Sequence, residues 1–508
     1  MDAWINDEFA TLDLNDLRLD KRARRILDRF ARKPSLSIPA ACDGNEAERE
    51  AAYRFFANDK VDDYEILRAH RHATIERMAP HAVVIVAQDT TEFDFTRPNE
   101  VVEDAGPLTF EKQIGLHTHA QVAYTPQRLC LGAIDSDTWG RDPGEYGKRK
   151  QKREKPIQQK ESYRWVRGYE RACDVAAQTP NTTVVSIGDA ESDIYECFCA
   201  ALSAEPKRKA EWIIRAGQFD RNLAANEEHH QLLQALQHRR VLGTFTMDIT
   251  AKKGRSARSA KMAVRSASVT LKPPKRPTEQ PRLPQVTINV VWVREVNPPA
   301  GEDPVEWMLL TSLPVATFEQ ACLVADYYAV RWQIEIYFKV LKSGCQVEKL
   351  QLETADRIKP CLALYQIVAW RVLYATMLGR ECPELSCEVI FAAAEWKAVW
   401  TVQKQEPLPP YAPSLGVFLK LVGELGGHTG QPWDGPLGPK RMWIGLQRTS
   451  DFGHAWRLFG PEADSKAGAP VDPEVAARPA PRPTPSPASK SPKTSPESHG
   501  EATASSRS

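Results

Sequence analysis

Four polar side chains in the stretch YYAVRWQIEIYFKVLKSG, residues 327–344, have the types and spacing of a phosphate-handling site. Tyr328, Arg331, Glu335 and Lys342 are three, four and seven residues apart. At about 100° per residue on a helix, all four fall within an arc of roughly 60°. Val330, Ile334, Tyr337, Val340 and Leu341 make the other side apolar, so the spacing predicts one half-buried helix over 327–344. A carboxylate among a phenol and cations can hold a metal ion while its neighbours hold phosphate oxygens. The plain alternative is a solvated face, on which Arg331–Glu335 and Glu335–Lys339 are four-residue pairs worth about 0.2–0.5 kcal/mol each.

Two aspartates elsewhere change that balance. AVVIVAQDTTEF, from residue 82, is a short run of β-branched residues ending in Asp89. NTTVVSIGDAESD, from residue 181, repeats the device and ends its strand at Gly188-Asp189. Each Asp alone reads most simply as a turn former or N-cap. Together with Glu335 they are three carboxylates carried by three strand-linked segments, and such groups crowd together only if their repulsion is neutralised. A hard divalent cation does this; Mg²⁺ takes few carboxylates and leaves room for water and phosphate oxygens. A pair of such ions suits in-line phosphoryl displacement. His117 and His119 share one face of a strand, but no third soft ligand is near them, and they read as structural.

The elements that must position these groups follow from the pattern. Residues 1–75 read as helical, with Asn15 or Asp16 capping a helix whose Leu19, Ala23, Ile26 and Phe30 recur at helical spacing. Eight Lys or Arg crowd residues 18–33, and Arg18 and Arg22 lie one turn apart on that helix. Strands follow at 114–125, 128–139 and 211–217, then alternating segments between 240 and 300, and a strand at 306–315. The chain thus reads as α/β, with a helical region over 1–75, a core over 76–379 interrupted by antiparallel strands at about 218–304, and a helical region over 380–460. The Pro-, Ser- and Ala-rich residues 461–508 are expected to be disordered.

Composition narrows the class. The 508 residues are 42% hydrophobic and carry a net charge of +1, so a partner is indicated by local charge, not by the total. KRKQKREK at 148–155 is a second basic run. Ten cysteines without CxxC spacing fit a reducing cytoplasm, and the acidic N-terminus lacks the apolar core of a signal peptide. The apolar stretch 361–378 carries Gln366 and Arg371 near its middle and reads as a buried helix, so no membrane is expected.

DTT at 89–91, GDAESD at 188–193 and YxxRWxIExxxKxxK at 328–342 resemble the insertion-sequence-four family of bacterial DDE transposases, the transposon-five type above all. AAYRFFAND near the N-terminus, NPPAGEDPVEWMLLTSLPV at 297–315 and the LGG…W segment near the end are also similar, in register from about residue 10 to 457. The resemblance implies a ribonuclease-H-like catalytic core with an inserted β domain, N-terminal recognition of the element's ends, and a C-terminal dimerisation region. It implies cut-and-paste transposition dependent on two Mg²⁺ ions, with Mn²⁺ able to substitute, acting on terminal inverted repeats and target double-stranded DNA as a homodimer in a bacterial cytoplasm. Asp89, Asp189 and Glu335 would be the catalytic metal ligands. Tyr328, Arg331 and Lys342 would hold the end DNA, Arg215 would contact it near the active site, and Trp307 would stack on a flipped-out base. Arg18 and Arg22 are expected to touch the element's end. Tyr195 departs from the family, which has His there, and puts any DNA contact at that position in doubt. The competing readings are a catalytically silent DNA-binding regulator and a stand-alone ribonuclease-H-like nuclease.

Overall fold

The computed structural model describes residues 3–110, 112–145, 155–202, 209–249, 251, 255–275 and 282–461. The basic run KRKQKREK, apart from Lys155, and the tail expected to be disordered lie outside these residues.

The N-terminal helices are α1 (Ala3–Glu8), α2 (Leu17–Arg32), α3 (Ile38–Ala41), α4 (Glu46–Phe56) and α5 (Asp63–Met78). Asp16 caps α2, its side chain accepting from the Arg18 amide, and Asn45 caps α4 in the same way through Glu48. α2 buries Ala23, Ile26, Leu27 and Phe30, the inward stripe read from the sequence.

The strands are β1 (Val83–Asp94), β2 (Gly106–Pro107), β3 (Ile114–Tyr124), β4 (Cys130–Trp139), β5 (Thr183–Gly188), β6 (Glu211–Arg215), β7 (Gly243–Ile249), β8 (Arg258–Leu271), β9 (Val286–Glu295) and β10 (Glu306–Thr311). Between them lie α6 (Tyr163–Gln178), α7 (Tyr195–Ala200) and α8 (Leu232–Gln237). β4, β3 and β1 form an antiparallel meander, and β5 and β6 continue it in parallel with β1. That order, β4-β3-β1-β5-β6, is a ribonuclease-H-like core. The inserted strands do not make a sheet of their own. β10 pairs antiparallel with β6 and with β9, so the described strands join in one sheet through β9, β8 and β7.

Alternation along the strands gives that sheet two apolar faces. Ile85 and Ala87 of β1 face one core, and Val84 and Val86 face another containing Trp165 and Tyr169 of α6 and Phe198 of α7. The first core also takes α9 (Phe318–Ala329), α10 (Trp332–Lys339) and α11 (Ala355–Glu381). α11 is the one helix, among the described residues, long and apolar enough to cross a membrane, and 78% of its most apolar window is buried inside the protein. Its Tyr365 stacks on Phe30 of α2, and its Trp370 indole donates to the Cys130 carbonyl. α12 (Ala393–Lys404), α13 (Leu415–Leu425) and α14 (Pro439–Phe459) complete the described chain.

Two sequence expectations need correction. Asp89 does not end its strand: β1 runs on to Asp94, with Asp89 opposite Ala120 of β3. Its pairing with β5 does end, at Ala87–Ile187, so Asp89 emerges where the parallel neighbour has stopped. Residues 327–344 are also not one uniform helix. α9 stops at Ala329, Val330 and Arg331 form a turn tightened by Arg331 N–H to Tyr328 C=O at 3.0 Å, and Val340–Gly344 is a π-helical turn. At the tightened turn Tyr328, Val330 and Arg331 are all buried, although uniform helical spacing would put Val330 on the opposite side from the other two.

Gly188 fixes how closely the chain turns after β5. A Cβ there would press on the Ser192 hydroxyl and lie 2.8 Å from its Cβ. Gly188→Ala is therefore expected to lower unfolding free energy by about 1–3 kcal/mol in a urea titration. Unchanged stability would show that the turn has slack.

Candidate active site

Asp89 lies on the same face of β1 as Ile85 and Ala87, beneath α9 and α10. Its Oδ1 accepts the Thr90 amide at 2.8 Å, and its Oδ2 accepts Arg331 Nη1 at 3.0 Å. The other arm of that guanidinium, Nη2, reaches Glu335 Oε1 at 2.8 Å, one helical turn on. A single arginine therefore bridges a strand carboxylate and a helix carboxylate. Asp189 follows β5 and caps a 3-10 turn, its Oδ1 accepting the Glu191 amide at 2.8 Å.

The electrostatics tie the three together. Burial and then the negative charge of Asp189 push the Asp89 carboxyl up to about 6; Glu335 adds to this, while the Thr90 amide and Arg331 oppose it. One guanidinium does not balance three carboxylates, so the cluster is short of positive charge. The donor set is all carboxylate oxygen, and the fit is to a hard divalent cation. Among the described residues no three acidic or soft side chains are already drawn into a metal cage, and Arg331 stands between two of the carboxylates. Arg331 Nε is also buried without a partner, a spare donor beside the carboxylates that a phosphate oxygen could take.

Behind the cluster, Arg164 at the start of α6 braces the segments that carry the aspartates. Its Nε donates to Thr90 Oγ1 at 2.9 Å and its Nη2 to Glu191 Oε2 at 2.8 Å. With Thr90 Oγ1 accepting from Arg164, its proton goes to His119 Nδ1 at 2.9 Å, leaving His119 Nε2 facing Gln88 Oε1. Burial holds the His119 imidazole well below its ordinary value, and the ring is neutral. His117 faces Glu92 at 3.0 Å. Both histidines are buried, each engaged with a side chain of β1, as the structural reading of the pair expects.

Beside the carboxylates opens a cleft of about 1100 Å³ lined by Arg215, Trp307, Tyr328 and Arg331. Four residues picked from the sequence for DNA contact thus share one concavity. The half-buried Trp307 ring meets Tyr328 edge-on at 6.1 Å, and burial keeps the Tyr328 phenol protonated by raising its pKa. Lys342 is not in that group; the π-helical turn carries it over the Phe93 ring, 5.7 Å from the centroid. Arg18 and Arg22 also stand away from it, on α2. Arg18 is exposed and forks onto its own cap, Asp16, while Arg22 pairs with Glu48 of α4 at 2.7 Å. Tyr195 faces away from the carboxylates, its hydroxyl donating to the Pro284 carbonyl at 2.8 Å.

Sequence reasoning passed over two lining residues. Trp332 is 57% exposed, with the Arg331 guanidinium 5.3 Å from its ring; its signal was a large aromatic on the polar side of an amphipathic segment. Arg128 lines the cleft from the β3–β4 turn, which no motif marks.

Three family descriptions match the chain: transposase DNA-binding over residues 1–61, transposase DDE domain over 126–369, and transposase Tn5 dimerisation domain over 367–461. The DDE match contains Asp189 and Glu335 but begins after Asp89, which the fold brings to them. Among solved structures, a piggyBac transposase synaptic complex with hairpin DNA is similar at 11% identity over 92% of this chain and 80% of that one, with a TM-score of 0.35. That likeness is too slight to bear on fold or function.

The raised Asp89 carboxyl predicts a pH dependence in the metal-free protein. The unfolded chain titrates near 3.8 and the folded one at about 6, so the folded state holds this proton more tightly. The contribution is fully present below about pH 4 and is lost as pH rises through about 6. Wild type should lose on the order of 2–3 kcal/mol relative to Asp89→Asn between those limits, measured by urea unfolding in chelator. A pH-independent difference between the two proteins would mean that Asp89 is neither buried nor crowded by the other carboxylates as this structure has it.

Proposed function

The chain belongs to the DDE transposases, metal-dependent enzymes of DNA, and on that premise we propose that it excises and inserts its element by cut-and-paste. It binds DNA and associates with itself through regions matching the DNA-binding and dimerisation families. In our reading the DNA is the element's terminal inverted repeats and then the target, and the self-association is a dimer that pairs two ends.

The observation that carries this reading is the meeting of Asp89, Asp189 and Glu335 from three separate segments, with Arg331 bridging two of them. We assign the three carboxylates to two Mg²⁺ ions, for which Mn²⁺ can substitute; when bound, the ions supply activation of the attacking oxygen and neutralise charge on the leaving one. Tyr328 and Arg331 then hold the phosphates flanking the scissile bond, with Lys342 steadying the strand beyond them and Arg215 holding it across the cleft. A water oxygen bonds to phosphorus as the bond to the 3′ oxygen breaks, and the proton returns to that oxygen as a 3′-hydroxyl. The 3′-hydroxyl attacks the opposite strand's phosphorus and closes a hairpin as the 3′ oxygen of the flanking DNA leaves with the proton. A second water reopens that bond and returns the 3′-hydroxyl, which finally joins a target phosphorus as a target 3′ oxygen leaves. Arg18 and Arg22 take end-DNA phosphates, the latter in exchange for Glu48. The place of work in this reading is a bacterial cytoplasm, in keeping with ten free cysteines.

Hairpin closure bends a strand sharply and leaves one nucleotide unpaired. Trp307, half-buried at the wall of the cleft, offers that base a stacking surface worth about 1–3 kcal/mol.

Asp89→Ala, Asp189→Ala and Glu335→Ala are each expected to abolish Mg²⁺-dependent cleavage of an end duplex while gel-shift binding persists. Near wild-type cleavage by any one would remove that residue from the site. Trp307→Ala should nick at close to the normal rate but close hairpins about ten- to a hundredfold more slowly, with Trp307→Phe between. Equal slowing of both steps in a protein of normal melting temperature would leave Trp307 as a packing residue only.

A further inference from the structure

The turn between β3 and β4 carries an arginine where the backbone calls for glycine. Thr125 and Leu129 pair through Thr125 N–H to Leu129 C=O at 3.0 Å, and the Arg128 amide donates to Thr125 C=O at 2.8 Å. Pro126 and Gln127 form the bend, and Arg128 follows it at φ +74°. This is a type I turn closed by a left-handed residue, a position that glycine normally fills because a Cβ is strained there. Among the described residues seven non-glycine residues have positive φ, and four of them are Asn or Asp, which tolerate that conformation. Gln405 caps α12, and Gln346 begins a short 3-10 turn. Among these seven, Arg128 alone carries a positive charge, on a side chain that does not ease the left-handed conformation as Asn or Asp does.

What the side chain does in the fold does not explain its presence. Arg128 is exposed, and among the described residues its guanidinium makes no ion pair. Asp326 of α9 feels its charge without contacting it. The arginines of α2 are different, for Arg22, Arg25 and Arg29 all turn onto Glu48. Arg128 instead projects at the wall of the cleft that Arg215, Trp307 and Arg331 line. Strain kept at a surface position, with no internal partner to reward it, is a mark of function at that residue.

We propose that Arg128 is a phosphate-binding residue of this cleft, taking a backbone phosphate of the DNA strand that lies between the β3–β4 turn and Trp307. This rests on the reading of the cleft as a DNA site and adds to it a contact from outside the three carboxylate-bearing segments. The turn fixes the backbone from which the guanidinium projects, so that only side-chain freedom is lost when the phosphate arrives.

The test uses the full chain and a mixed-sequence duplex carrying one unpaired nucleotide beside a nick, with binding followed by fluorescence anisotropy across a series of KCl concentrations. Arg128→Asn and Arg128→Gly suit the left-handed turn and remove the charge. Both should bind about three- to tenfold more weakly at low salt and lose about one unit of the log–log salt slope, with melting temperature unchanged or raised. Arg128→Lys, which keeps the charge, should retain the slope. Unchanged affinity and slope in Arg128→Asn, or a melting temperature lowered in both Asn and Gly variants, would overturn the proposal. Arg215→Ala separates the two levels. If it weakens binding while Arg128→Asn does not, only the role of Arg128 falls; if neither does, the cleft itself is not where DNA binds.

Discussion

A guanidinium shared between Asp89 and Glu335 is the contact on which the rest of the site depends. Burial first, and then repulsion from the neighbouring carboxylates, pushes the Asp89 carboxyl up to about 6. Arg331 relieves part of it at 3.0 and 2.8 Å, joining strand β1 to helix α10 across 242 residues of chain. A partner of that shape meets both carboxylates only if Arg331 is turned inward while its i+4 neighbour stays beside it. The tightened turn at Val330–Arg331 provides this, and it is where the helix reading of the segment breaks down. The remaining deficit of positive charge is what fits the cluster to a divalent ion.

The sheet supplies the other half of the geometry. Parallel pairing of β1 with β5 stops just short of Asp89 and Asp189, which leaves the two side by side where β5 ends, and Arg164 ties Thr90 to Glu191 beneath them. Because β10 lies next to β6, the inserted strands extend the core sheet and bring Trp307 to the same rim as Arg215. The cleft therefore has one wall from the insertion, one from α9 and α10, and a third element in the β3–β4 turn. Two of its features run against stability: a buried Arg331 Nε without a partner and an arginine in a glycine conformation. Such costs collect where a ligand is meant to remove them.

Much of this was legible in the sequence, for physical reasons that also mark its limits. Apolar runs that end in an acid announce Asp89 and Asp189, because their shortness and β-branched residues favour a buried strand over a buried helix. The strand end at Asp89 was misplaced because Thr90–Asp94 pair with β3 alone, and one-sided pairing leaves a mixed pattern that resembles a loop. The uniform helix over 327–344 failed at positions where packing, not periodicity, decides: Val330 is buried between α9 and α10, and Gly344 lies 3.0 Å from Trp443, measured from where its Cβ would be. Arg331–Glu335 survived as a four-residue pair, but its partner Asp89 is a tertiary contact that no spacing predicts. Arg22 shows the reverse, a residue on a basic face whose charge is met within the fold by Glu48. Arg128 was invisible because its meaning lies in one backbone angle.

The most direct measurement is anomalous diffraction from crystals of the protein with Mn²⁺ and an end duplex. If Asp89, Asp189 and Glu335 form one site, Mn²⁺ peaks should appear among these carboxylates, with Arg331 turned from Asp89 toward a backbone phosphate. Peaks elsewhere, or carboxylates without metal while DNA occupies the cleft and Arg331 still forks between Asp89 and Glu335, would show that the arginine pair is structural and that the chemistry lies in another place.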